Sequence, residues 1–138
     1  MAEAARMPAT PEIRERWGAF GWTTDNAERA KVFVARYPAG RQQSAIIPLL
    51  DLAQRQVGAE TGTQGWLPIP VIEFVAAELG MPYIRAYEVA TFYTMFNLHP
   101  VGKYHLQVCT TPPCLLRGSD DVVKIGRASC RERVYACV

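Results

Sequence analysis

Apolar residues recur at helical spacing from Thr24 to Phe96, and after Pro100 the spacing changes to every second position. Thr24 reads as the N-cap of a helix running through Ala27, Ala30 and Val34 toward Arg36, with Pro38 and Gly40 to end it. Ile46, Leu49, Leu50, Ala53 and Val57 then fall at i, i+3, i+4, i+7 and i+11, the stripe of an amphipathic helix with Pro48 in its first turn. Gly58 to Gly65 is a polar, glycine-rich loop. Pro70 opens a third helix carrying Val71, Phe74, Val75 and Leu79, which Gly80 and Pro82 stop. A fourth is expected from Tyr83 to Phe96, its aromatic and apolar residues (Ile84, Tyr87 and Met95 on one face, beside Thr91) forming core. Tyr104, Leu106 and Val108 alternate with Lys103, His105 and Gln107, which predicts a half-buried strand over Lys103–Val108. Ser119-Asp120-Asp121 starts a further helix. Residues 1–19, rich in Ala, Pro and Arg, read as a flexible arm. The expected class is α+β: a helical domain over 20–97, then the start of a strand-containing domain over 98–123.

Composition narrows the function classes. Half the chain is hydrophobic and a fifth charged, as in a globular protein. The formal charge of +2 is unevenly placed. Through Lys124 there are twelve basic and twelve acidic residues; the excess comes from Arg127, Arg131 and Arg133 against Glu132. Residues 1–124 therefore carry no electrostatic signature of nucleic acid or membrane binding. No stretch reaches the ~18 consecutive apolar residues of a spanning helix, and the first residues show neither a signal-peptide nor a transit-peptide pattern. The expectation is a cytoplasmic protein without direct membrane insertion, where thiols stay reduced and paired cysteines serve metals more often than disulfides.

The cysteines are the candidate chemistry. Cys109 and Cys114 lie in Gln107-Val-Cys-Thr-Thr-Pro-Pro-Cys-Leu-Leu-Arg117, just past the predicted strand. Thiolates at C-x4-C spacing in a loop can take neighbouring positions on one iron while backbone N–H groups donate to sulfur. Pro112 and Pro113 stiffen the loop and can open a helix whose positive end faces an anionic cluster. Plant-type ferredoxins continue with a third cysteine three residues on, where this chain has Arg117. A pair of free thiols flanking a turn is the plain alternative.

The wider sequence supplies context. Tyr87-Glu-Val-Ala-Thr-Phe-Tyr-Thr-Met-Phe-Asn97, the run from Pro100 through Cys114, Tyr37-Pro-Ala-Gly-Arg41, Ile47 to Gln56 and Gly65-Trp-Leu-Pro68 together resemble the E-subunit family of NADH-quinone oxidoreductase, respiratory complex I. The resemblance spans roughly Phe20 to Val123. It implies a helical region followed by a thioredoxin-like domain holding one [2Fe-2S] cluster. Two ligands would come from Cys109 and Cys114 and two from a later C-x3-C pair. The amides around Thr110, Thr111 and Leu115 are candidate donors to sulfide, and Arg117 a charge that tunes potential. By the same resemblance the protein is a component for electron transfer, catalytic only within its complex. It docks on the flavin-bearing, NADH-binding subunit, so that FMN and NADH enter only through that partner, and it lies peripherally on the inner membrane. Related subunits serve NAD-linked hydrogenases and formate dehydrogenases, so the parent complex stays open.

The family-like text stops at Val123. Lys124 to Val134 instead resembles the in-frame translation of a sequencing-library adapter, so 124–138 reads as an artefactual tail and the thioredoxin-like domain as truncated. Cys130 and Cys137 are given no role: their spacing is C-x6-C, about 10 Å apart along a helix.

Two rivals from other classes remain. Pro70 to Phe96 resembles a helix-turn-helix, a DNA-binding module, but its second helix offers only Arg85 and Asn97 to bases or phosphates. A zinc site from His99, His105, Cys109 and Cys114 meets a geometric obstacle. His105 and Cys109 on one strand stand roughly 13 Å apart, against metal–ligand bonds of about 2.0–2.3 Å.

Overall fold

The structure, a computed structural model, describes residues 10–129 and 134–137. Five helices build the core: α1 (Pro11–Trp17), α2 (Thr24–Ala35), α3 (Ile46–Thr61, entered through a 3-10 turn at Gln42–Ala45), α4 (Ile69–Glu78) and α5 (Tyr83–Phe92). They are followed by β1 (Leu106–Cys109), α6 (Pro112–Leu116), α7 (Ser119–Ser129) and β2 (Val134–Cys137). No helix among the described residues is long and apolar enough to cross a membrane.

Helix α3 is the central element. Its predicted stripe of Ile46, Leu49, Leu50, Ala53 and Val57 is buried, and Pro48 sits in the first turn as expected. Against it pack Leu67 and, from α4, Val71, Ile72 and Val75. Complete burial of side chains of this size is worth about 1.5–3 kcal/mol each, so this stripe carries much of the fold's hydrophobic stabilisation. Helix α4 ends as Gly80 and Pro82 predict: Gly80 takes φ +60, its N–H bonds Ala77 O at 3.1 Å, and Met81 N–H bonds Ala76 O at 3.0 Å. That paired return satisfies carbonyls the last turn leaves open.

Several expectations need correction. The supposed arm contains α1, because Pro11 presets the first helical φ and Trp17 is buried in the core that α4 helps to form. Arg14 pairs with Glu73 at 3.3 Å, and Phe20, Trp22 and Phe74 form an edge-to-face trio with centroids 5.3–5.7 Å apart. Residues 1–9 of that arm lie outside the described residues. Thr23, not Thr24, occupies the N-cap of α2. Helix α3 runs beyond Val57, the last position of its stripe, as far as Thr61, so Gly58 is helical and the left-handed Gly62 provides the stop.

Helix α5 ends at Phe92 rather than Phe96, and of the face predicted as core only Tyr87 packs, partly buried, against it. Ile84 is 58% exposed, Phe92 77% and Met95 47%, while the small Ala86 and Ala90 form the buried contact with α4 and α3. The chain leaves the helix at Tyr93, which is extended, so that Phe96 can turn back into the core.

Strand β1 is shorter and later than predicted, and Tyr104 and Leu106 are exposed rather than half-buried. Its neighbour is β2, paired parallel in the register Leu106↔Val134, Gln107↔Tyr135, Val108↔Ala136 and Cys109↔Cys137. Helix α7 forms the crossover a parallel pair requires and lies against both strands. It thus continues past Val123 into the stretch set apart as a tail, and β2 lies wholly within it.

Candidate cluster-binding loop

Two buried glutamines of α3 hold the neighbouring loops in place. Gln56 Nε2 donates to Gly21 O at 2.8 Å, and its Oε1 accepts from Asn26 Nδ2 at 2.9 Å. Gln54 serves the segment that leads to the cysteines: its Oε1 accepts from Asn97 N–H at 2.8 Å and its Nε2 donates to Met95 O at 3.2 Å. Asn97 in turn donates through Nδ2 to Gly65 O at 3.0 Å and accepts at its carbonyl from Leu67 N–H at 2.8 Å. Gln64 N–H bonds Gly102 O at 3.3 Å. This arrangement needs Gly65: its φ is +81, and a Cβ there would stand 2.1 Å from Gln54 O. The chain that carries β1 and the cysteine loop therefore leaves the helical core from a fixed point.

The loop itself is short. Cys109 ends β1, Thr110 and Thr111 turn, and Pro112 and Pro113 begin α6, in which Cys114 is the third residue. Cys109 and Cys114 lie near enough to shift one another's titration. Thr111 Oγ1 lies 3.1 Å from Cys109 Sγ, and the Thr111 amide also donates to that sulfur. These donors, the hydroxyl foremost, hold the Cys109 thiol below its ordinary pKa, with a smaller contribution from Cys114. Cys114 moves the other way, because it gives its hydrogen bond to Cys109 and is partly desolvated. The pair is asymmetric: Cys109, exposed, ionises first, and Cys114 supports it.

Soft, adjacent thiols with an N–H and an O–H aimed at one sulfur are a donor set that suits a thiophilic metal such as iron in an iron–sulfur centre. They supply two positions. Among the described residues no group of three His, Cys, Asp or Glu side chains comes together, so His99 and His105 do not join the pair in a compact site. Helix α6, at five residues, is too short for a substantial dipole, and the individual donors matter more than the helix end that the sequence suggested. Cys130 lies outside the described residues. Cys137, which sequence spacing kept away from the pair, holds the register position opposite Cys109 on β2. Thr111's hydroxyl is the contributor that sequence reasoning missed. The signal was present in the two prolines after it, which remove the N–H of the second helical residue, one of the two that a capping threonine serves.

Residues 30–134 match the family model for the thioredoxin-like [2Fe-2S] ferredoxin. Among curated proteins, the chain is 62% identical over 106 residues to the NADH-quinone oxidoreductase E subunit of Rickettsia conorii, covering 77% of this chain and 60% of that protein. It is 57% identical over 115 residues to the corresponding Rickettsia bellii protein, covering 83% and 63%. It is 49% identical over 117 residues to the NADH-quinone oxidoreductase E 1 subunit of Rhizobium meliloti, covering 84% and 38%. The chain thus spans about 60% of the length of the Rickettsia proteins it matches. The paired thiols fall inside the matched span, and this chain belongs to the thioredoxin-like [2Fe-2S] ferredoxin family.

Proposed function

We propose that this chain is the helical region and part of the thioredoxin-like domain of the electron-transferring E subunit of NADH-quinone oxidoreductase, with Cys109 and Cys114 as two ligands of its [2Fe-2S] cluster. The observation that carries the reading is the cysteine pair on a short loop, with Thr111 Oγ1 3.1 Å from Cys109 Sγ, inside a sequence 62% identical over 106 residues to a known E subunit. When bound, the cluster supplies one-electron redox chemistry. The chain's own residues hold it: Cys109 and Cys114 present sulfur, and Thr111 donates to the first of them. The Gln54–Asn97 contacts fix the strand from which the loop projects. The partner that brings FMN and NADH is the flavin-bearing subunit of the same complex, placing this protein at the membrane's cytoplasmic face without insertion.

Anaerobic loading with iron and sulfide in excess exogenous thiol tests the ligand assignment, because the added thiol fills positions the pair does not. Visible absorbance and an EPR signal after dithionite reduction are expected, and both disappear in Cys109→Ser and in Cys114→Ser. Retention of the signal in both variants refutes the assignment. Desalting should strip the cluster. A cluster that survives desalting but is lost in Cys130→Ser or Cys137→Ser shows instead that residues 124–138 supply ligands.

A further inference from the structure

Thr111 occupies the residue just before α6, where a threonine side chain ordinarily accepts a hydrogen bond from the N–H of the second or third helical residue. Here it makes no such bond. The sequence explains why. The first two helical residues are Pro112 and Pro113, which have no N–H, and the third, Cys114, already donates its N–H to the Thr111 carbonyl at 2.9 Å. The double proline releases the hydroxyl from helix capping, and the hydroxyl sits 3.1 Å from Cys109 Sγ.

We propose that Thr111 is a positioning residue for the cysteine pair, its hydroxyl donating to Cys109 Sγ so that this sulfur is held toward Cys114 and stabilised as the metal-bound thiolate. The proposal rests on the reading that Cys109 and Cys114 share one metal. A donor on a ligating thiolate draws charge from the metal and orients the ligand, as outer contacts of metal sites generally do. Arg117, the charge that the sequence offered for this role, reaches the loop through its backbone, where its N–H bonds Cys114 O at 3.1 Å.

Titration of the full chain with Cd(II), a soft ion that prefers thiolates, reads this through the thiolate-to-metal charge-transfer band. Thr111→Val keeps the β-branched shape at an extended φ/ψ of −63°/160° and removes the hydroxyl. It should weaken Cd(II) binding by about tenfold and shift the band, the order expected for one hydrogen bond to a charged group. Thr111→Ser, which keeps the hydroxyl, should restore both affinity and band position, whereas a purely steric role for threonine predicts no rescue by serine. Far-UV circular dichroism checks that each variant is folded. Wild-type affinity in Thr111→Val, or failure of serine to rescue, overturns the proposal while loss of the band in Cys109→Ser and Cys114→Ser leaves the ligand reading standing. A band that persists in both cysteine variants removes the ligand reading and this proposal with it.

Discussion

Gln54→Leu is the most direct test of how the helical core controls the cysteine segment. Leucine is close to glutamine in size and suits a helix, so the substitution opens little cavity and costs little propensity. What it removes is polar. Gln54 Oε1 no longer accepts from Asn97 N–H, at 2.8 Å, and Nε2 no longer donates to Met95 O, at 3.2 Å. Each backbone group left unpaired in a partly buried site costs about 1–3 kcal/mol. Leucine burial offsets some of this, giving a net loss of roughly 2–4 kcal/mol. For a domain of this size each kcal/mol lowers Tm by about 4–8 °C, so a drop of at least ~8 °C is expected. Urea unfolding followed by far-UV circular dichroism supplies the free energy, and amide exchange at Asn97 and Leu67 reports local release. Gln43→Leu is the control: the Gln43 bond to Gly80 O is exposed and 3.3 Å long, so its change should stay within ~0.5 kcal/mol. If Gln54→Leu is as mild as the control and leaves both amides protected, Gln54 does not anchor the segment and the reasoning fails.

Gly65→Ala should destabilise more than Gly62→Ala in parallel melts: at both positions the positive φ costs about 1–2 kcal/mol, but only at Gly65 does a Cβ meet backbone, 2.1 Å from Gln54 O. Equal losses would contradict the close approach. The Tyr83 hydroxyl titrates above its ordinary value, through burial first and then the charges of Tyr87 and Glu73. A raised folded-state value means the unfolded chain ionises first, so the associated stability is whole below the ordinary tyrosine range and declines as pH rises through the folded value. Tyr83→Phe should flatten that alkaline decline in urea midpoints measured across pH, and an unchanged slope would count against it. Pulsed iodoacetamide labelling followed by peptide mass analysis should modify Cys109 at lower pH than Cys114, given their opposite shifts. Reversed order would show that Thr111 does not favour the Cys109 thiolate.

Much of the helical region was legible because its elements agree with local rules. The α3 stripe follows helical periodicity, and Gly80 can adopt the left-handed conformation that closes α4. The cysteine pair was legible from spacing, and its setting from the long strings shared with the E-subunit family. What escaped was decided at a distance. Pro11 to Trp17 looks like an arm until α4 offers Trp17 a surface, and no local pattern announces that surface. The run Thr91-Phe-Tyr-Thr-Met-Phe96 is uniformly apolar enough to continue a helix. It breaks because Phe96 and the Gln54 contacts are worth more than another turn. Leu106 and Tyr104 alternate as a half-buried strand should, yet alternation says nothing about whether a layer covers the face, and here they are exposed. The Val134-Tyr-Ala-Cys strand was missed because the stretch was judged by its likeness to an adapter rather than by its β-forming residues.

The order of contacts along α1 to α5 also bears on biosynthesis. Helix α3 packs on α2, α4 and α5, and α4 packs on α5, so most of the partnerships that bury the core join elements close in sequence. Such topologies fold quickly, because few long loops must close first, and domains order from the N-terminus as the chain is made at about 5–20 residues per second. By the time Cys109 clears the ribosome, the last of these helices, which ends at Phe92, has had roughly one to three seconds to assemble, and the earlier ones longer. The thiols thus emerge tethered to an ordered scaffold, and metal capture by the proposed ligand pair would be a late, local event on a small loop rather than one that must organise the whole chain.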